Sequence, residues 1–160
     1  MREICTYVDI DAGASLVWQI LTDFSVYRSW NPTLRGVLGS LQAGNTIVTT
    51  ERQPGAGRGD TTEARQTVKH VREPRELYWL GTFRLAWMYA TERRFRIETL
   101  AKGGVRFHQN QRFRGFLVPF MWAGLRRDVT PGFQAMNEAL KSRAERAEAD
   151  FVATRPPRAA

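Results

Sequence analysis

From Thr33 to Arg114 the chain is a succession of alternating segments joined by connections too short for a crossover helix. The segments run over about Thr33–Leu41, Thr46–Arg52, Thr61–Arg72, Leu77–Thr82, Met88–Leu100 and Gly104–Arg114. Between them stands turn chemistry: Ala43-Gly44-Asn45, Glu73-Pro74-Arg75-Glu76 and Lys102-Gly103-Gly104. Parallel strands need long crossovers, so this spacing predicts an antiparallel meander.

Two further elements frame the meander. Arg2 to Ile10 alternates as a strand, with Ile4, Thr6, Val8 and Ile10 on one face. Near the other end, Phe133, Met136, Leu140, Ala144, Ala147 and Phe151 recur at helical spacing and predict one long closing helix that begins after Gly124. Pro131 either kinks that helix or starts it, with Thr130 as cap. After the first strand, Ser15 is placed to cap a helix carrying Leu16, Val17, Ile20 and Leu21. A second short helix, Asp23 to Ser29, is ended by Asn31-Pro32. The predicted class is α+β, a curved antiparallel sheet of about seven strands around a long C-terminal helix, with two short helices after strand 1. One helix cannot cover so large a sheet at both ends, so an internal space is expected beneath it. Residues 1–150 read as one domain and 151–160 as a flexible tail.

Composition narrows the partners. A single cysteine, Cys5, excludes an intrachain disulfide and fits a reducing compartment. The first residues lack the apolar core of a signal peptide, and the run from Gly115 to Leu125 is too short to span a bilayer. These features predict a cytoplasmic protein. The net charge of +8 comes from arginines and lysines dispersed over strands, the last helix and the tail. Arg94, Arg96, Arg106, Arg112 and Arg114 should form a basic stripe on the outer sheet face, but the aromatics alternate to the opposite face. Nucleic acid would want stacking platforms among those charges, so pairing with Glu92 and Glu98 is the better account. Phe116 to Trp122, framed by Arg112, Arg114, Arg126 and Arg127, could touch an anionic membrane; packing over the cavity mouth is preferred. The glycine-rich Pro54 to Gly59 leads into a strand rather than a helix N-terminus, so it reads as a hairpin loop and not a phosphate cradle. Two histidines and one cysteine without ligand spacing predict no metal site, and no cofactor is expected. His108 reads as a surface residue, and His70 has no evident acidic partner.

The residues also carry a resemblance. Val17-Trp18, Asp23, Tyr27 and Trp30-Asn31-Pro32 resemble the opening signature of the SRPBCC superfamily, the START and polyketide cyclase/dehydrase-like proteins. Leu77 to Gly81 resembles its central strand, and Arg112 to Pro119 and Gly132 to Lys141 its closing segments. The resemblance covers nearly the whole chain to about Ala147 and implies the helix-grip fold. Where many relatives have His and Glu, this chain has Arg93 and Gln111, which weakens any acid/base chemistry carried over from them.

Alternation sorts the candidate pocket. Val105, Phe107, Gln109, Gln111 and Phe113 share the inward face of one strand. Tyr89, Thr91, Arg93, Phe95 and Ile97 form the matching set on its neighbour. The candidate ligand-lining residues are Trp30, Trp79, Tyr89, Arg93, Phe95, Phe107, Gln109, Gln111, Phe113 and Met136. Arg93, Gln109 and Gln111 are polar groups on an otherwise apolar face, where each needs a partner. Either a ligand with polar or anionic atoms supplies it, or Arg93 bonds an internal Glu such as Glu63 or meets water at the rim. No catalytic residue is assigned, since the assigned inward faces hold no His or carboxylate. The preferred function is binding of a hydrophobic or aromatic small molecule, lipid or polyketide-like, in an internal cavity. A polyketide cyclase/aromatase-like enzyme and a chaperone-activator-like interaction domain are the alternatives.

Overall fold

The computed structural model describes residues 1–52, 61–82 and 87–154. Seven strands form one antiparallel sheet: β1 (Arg2–Ile10), β2 (Leu34–Leu38), β3 (Thr46–Arg52), β4 (Thr61–Arg72), β5 (Glu76–Thr82), β6 (Ala90–Thr99) and β7 (Val105–Arg114). Their spatial order is β1-β7-β6-β5-β4-β3-β2, so the meander holds throughout and β1 pairs with the last strand. The sheet curls around the long helix α3 (Val118–Thr154), the helix-grip arrangement the sequence predicts. The expected glycine-rich hairpin at Pro54 to Gly59 lies outside the described residues.

Between β1 and β2 stand α1 (Ala14–Thr22), a 3-10 turn (Phe24–Val26) and α2 (Tyr27–Trp30). The expected cap at Ser15 is not used. Gly13 occupies the N-cap with extended backbone, and Ser15 falls inside the first turn. The stop at Asn31 is firm because its side-chain oxygen accepts hydrogen bonds from the backbone N–H of Thr33 (3.0 Å) and Leu34 (2.9 Å).

Helix α3 differs most from expectation. It starts at Val118, well before Gly124, and runs for 37 residues through Pro131. Pro131 neither starts nor ends it. The proline is exposed, so its ring and missing N–H fall on the solvent side, where a bent ladder is tolerated. Phe133, Met136, Leu140 and Ala144 are buried as predicted, but Phe151 is 65% exposed because the helix outruns the sheet beneath it. Helical structure continues to Thr154, and residues 155–160 of the expected tail lie outside the described residues. At its other end Val118 is buried while Phe116, Phe120 and Met121 stay exposed, so the helix start only partly packs inward. Among the described residues no helix is long and apolar enough to cross a membrane.

On the outer sheet face every arginine of the expected basic stripe meets a carboxylate: Arg94–Glu76, Arg96–Glu98, Arg106–Asp9, Arg112–Glu3 and Arg114–Glu92, all within 3.2 Å. His108 lies on this face with its Nε2 3.0 Å from Glu98. His70, expected to stand alone, has Glu76 at 3.8 Å, brought alongside by the β4–β5 pairing.

Candidate functional site

The inner face is layered. One apolar cluster joins Ile10, Val17, Leu21, Ile47, Val68, Leu77, Trp79, Phe95, Phe107, Met136 and Leu140. A second, smaller cluster joins Ile4, Phe113, Val118 and Phe133, with Tyr89 and Trp122 packed against it. Between the two runs a polar layer, one or two side chains from each element it crosses. Moving outward along the inward face of β7, Val105 and Phe107 belong to the first cluster, Gln109 and Gln111 to the layer, and Phe113 to the second cluster. Register places Ile4 opposite Gln111 and Thr6 opposite Gln109 on β1, with Arg93 and Phe95 opposite the same two glutamines on β6. The layer continues as Gln66 on β4, Thr49 and Glu51 on β3, and Asn137 on α3.

Arg93 is the centre of this layer. Its side chain is only 6% exposed, and its fork is occupied by protein. Nη1 donates to Glu51 Oε1 (2.9 Å) and Nη2 to Glu51 Oε2 (3.2 Å). Nε and Nη2 both donate to Gln111 Oε1, at 3.0 and 2.8 Å. The ring of Phe133 covers the guanidinium at 5.2 Å from its centroid. The carboxylate partner is therefore Glu51 rather than Glu63. Glu63 lies next to Thr62, which pairs with Glu51 across β3 and β4, so alternation turns Glu63 to the outer, exposed face.

Glu51 also corrects the expectation that the inward faces lack a carboxylate. The signal was present in Thr46–Arg52: once Ile47 points inward, alternation carries Thr49 and Glu51 to the same face. At the edge of the layer Tyr89 is half-buried, and burial, reinforced by the charge of Glu51, raises the pKa of its phenol while Arg93 opposes that shift.

The other expected lining residues fall as follows. Trp79, Phe95, Phe107, Phe113 and Met136 are fully buried, with Trp79 edge-on to Phe95 at 5.2 Å and Phe95 stacked on Phe107 at 5.9 Å. Gln109 is buried, and its Nε2 lies 3.6 Å from the Met136 sulfur. Trp30 is half-buried, its ring edge-on to Tyr27 at 5.0 Å. Tyr89 packs with the second cluster, 6.3 Å from Phe113.

Several polar atoms of this interior have no hydrogen-bond partner although water does not reach them. The donors are Trp30 Nε1, Trp79 Nε1 and Asn31 Nδ2; the acceptors are Gln66 Oε1, Gln109 Oε1 and Asn137 Oδ1. Buried polar atoms are nearly always paired, and each orphan costs about 1–3 kcal/mol. Gln66 was not singled out from the sequence. What makes room for it is Gly81, where a Cβ would stand 2.5 Å from Gln66 Oε1 and 2.9 Å from Thr91 Oγ1.

Residues 1–145 match the family described as "Polyketide cyclase / dehydrase and lipid transport". The chain belongs to this family. No curated protein matches it. Several solved structures share its fold. A START superfamily protein from Mycobacterium smegmatis is 18% identical with a TM-score of 0.69, over 91% of this chain and 98% of that one. A protein from Mesorhizobium loti is 15% identical with a TM-score of 0.68, over 91% and 98%. A di-domain aromatase/cyclase from the BE-7585A biosynthetic pathway is 14% identical with a TM-score of 0.72, over 90% of this chain and 50% of that one. At these identities the likeness is one of fold, while the family match over residues 1–145 bears out the SRPBCC resemblance read from the sequence.

Proposed function

We propose that this family member binds a small hydrophobic or aromatic molecule inside the sheet–helix grip, with its polar atoms lodged at the Arg93–Gln109–Gln111 layer. The observation that carries the reading is the set of buried, unpartnered carbonyl acceptors of Gln66, Gln109 and Asn137 in the layer between two apolar clusters, with the unpartnered indole N–H of Trp79 in the first cluster. A ligand with an apolar body and a few oxygens supplies the missing partners, and apolar walls with sparse polar groups are the usual make-up of such sites. Native mass spectrometry of freshly purified protein is expected to show a bound mass that is lost on unfolding. N-phenyl-1-naphthylamine, a neutral aromatic probe, is expected to brighten on binding and be displaced by lipid or polyphenol extracts. An unliganded mass together with no probe uptake would end this proposal.

One observation favours a second reading, a cyclase/aromatase-like enzyme: Glu51 places a proton-accepting group on the inner face beside Tyr89 and Arg93. Turnover of a poly-ketone analogue that disappears in both Glu51→Gln and Tyr89→Phe would establish it. Equal product from enzyme and buffer would dismiss it.

A further inference from the structure

Resting on the binding reading above, we infer that the site selects electrically neutral ligands, and that Glu51 is the residue that sets this preference. A buried guanidinium in a ligand site ordinarily calls for an anionic ligand. Here that role is already filled from within. Four of the five N–H groups of Arg93 are engaged, two on the Glu51 carboxylate and two on Gln111 Oε1. Phe133 closes one face of the group. The layer therefore holds one positive and one negative charge in contact, and its other members, Thr6, Thr49, Gln66, Gln109, Gln111 and Asn137, are uncharged.

The unpartnered atoms point the same way. Those that belong to the layer, Gln66 Oε1, Gln109 Oε1 and Asn137 Oδ1, are all acceptors, and they call for a donating group such as a hydroxyl. A carboxylate or sulfonate offers only acceptors. It would face the unpaired carbonyl oxygens of Gln66, Gln109 and Asn137, and could reach Arg93 only by displacing a bidentate intramolecular partner. Glu51 thus acts as a resident anion. Its side chain is 27% exposed against 6% for Arg93, which places it toward the outside of the layer with the cation deeper.

The test compares two near-identical fluorescent probes on the full chain: neutral N-phenyl-1-naphthylamine and anionic 8-anilinonaphthalene-1-sulfonate. Wild type is expected to prefer the neutral probe. Glu51→Gln, which keeps size and shape but frees the guanidinium, is expected to raise the anionic-to-neutral affinity ratio by about tenfold or more. The reciprocal variant Arg93→Gln leaves Glu51 unpaired, and is expected to favour the cationic dye thioflavin T by a similar factor of about tenfold over wild type. It keeps the inference testable if Glu51→Gln does not fold. Unchanged ratios in whichever variants fold, with the neutral probe still bound, overturn the charge selection and leave the binding reading standing. Absence of any probe binding in wild type overturns both, and the fault then lies with the binding reading.

Discussion

Arg93 and Glu51 form a pair in which removing one side is worse than removing both. Arg93→Met leaves a carboxylate that can still hydrate at 27% exposure, and is expected to lower stability by about 1–2 kcal/mol. Glu51→Gln leaves a buried cation and is expected to lower it by about 3 kcal/mol. The double variant Glu51→Leu/Arg93→Met should return close to wild type, because apolar replacement of a buried pair is often neutral. Urea unfolding of all three checks this, and additive losses would refute it. Tyr27 is a second residue-scale case. Its hydroxyl donates to the Leu21 carbonyl in a fully buried site. Burial pushes its pKa far up, with the charge of Asp23 adding to the shift and Arg93 opposing it. The folded state then keeps a proton that the unfolded chain loses near pH 10, so this contribution is complete below pH 10 and is lost as pH rises beyond it. Tyr27→Phe is expected to cost about 1 kcal/mol at neutral pH and to flatten the alkaline fall in stability. An alkaline limb as steep as wild type would contradict this.

At the scale of elements, a small hydrogen-bonded group ties helix α3 to the end of β1. Lys141 donates to the Asp9 carbonyl (2.7 Å) and to Glu145 Oε1 (2.7 Å), and the backbone N–H of Asp11 donates to the same Glu145 oxygen (2.9 Å). The Asp11 N–H, with Lys141 beside it, holds the Glu145 carboxyl below its ordinary value of 4.5. A lowered pKa stabilises above that value and the gain disappears as pH falls below it. Glu145→Gln should therefore show a shallower loss of stability below about pH 4.5, read from acid unfolding followed by circular dichroism. The β5 strand offers the other case. Gly81→Ala would drive a methyl onto Gln66 Oε1 and Thr91 Oγ1, and is expected to lower stability by about 1–3 kcal/mol. Pairing it with Gln66→Ala should recover most of that loss, and no recovery would mean that Gln66 is not what the glycine makes room for.

Over the whole molecule, the meander, the direction of each strand and the inner face of β6 and β7 were legible because alternation and short turns are local signals. The helix start at Val118 was not, since Gly124 and Pro131 argue locally against a helix that packing against β1 and β7 sustains. The polar layer was legible only in part. Arg93, Gln109 and Gln111 stood out as polar residues on apolar strands, whereas Glu51 and Gln66 sit on strands whose polar residues occupy both faces. The surface arginines behave likewise: the sequence shows their excess, and the sheet register supplies each with its carboxylate.

By itself the order of residues determined a seven-stranded antiparallel sheet closed by a long helix, and a band of polar side chains facing inward. Which charge meets which was decided only in three dimensions. Glu51 and Arg93 are 42 residues apart in sequence, with β4 and β5 between their strands, and they touch because the curled sheet brings those strands to face one another across the interior. Alternation assigns each residue a face of its own strand, and only the assembled, curled sheet decides which distant strands meet across the interior.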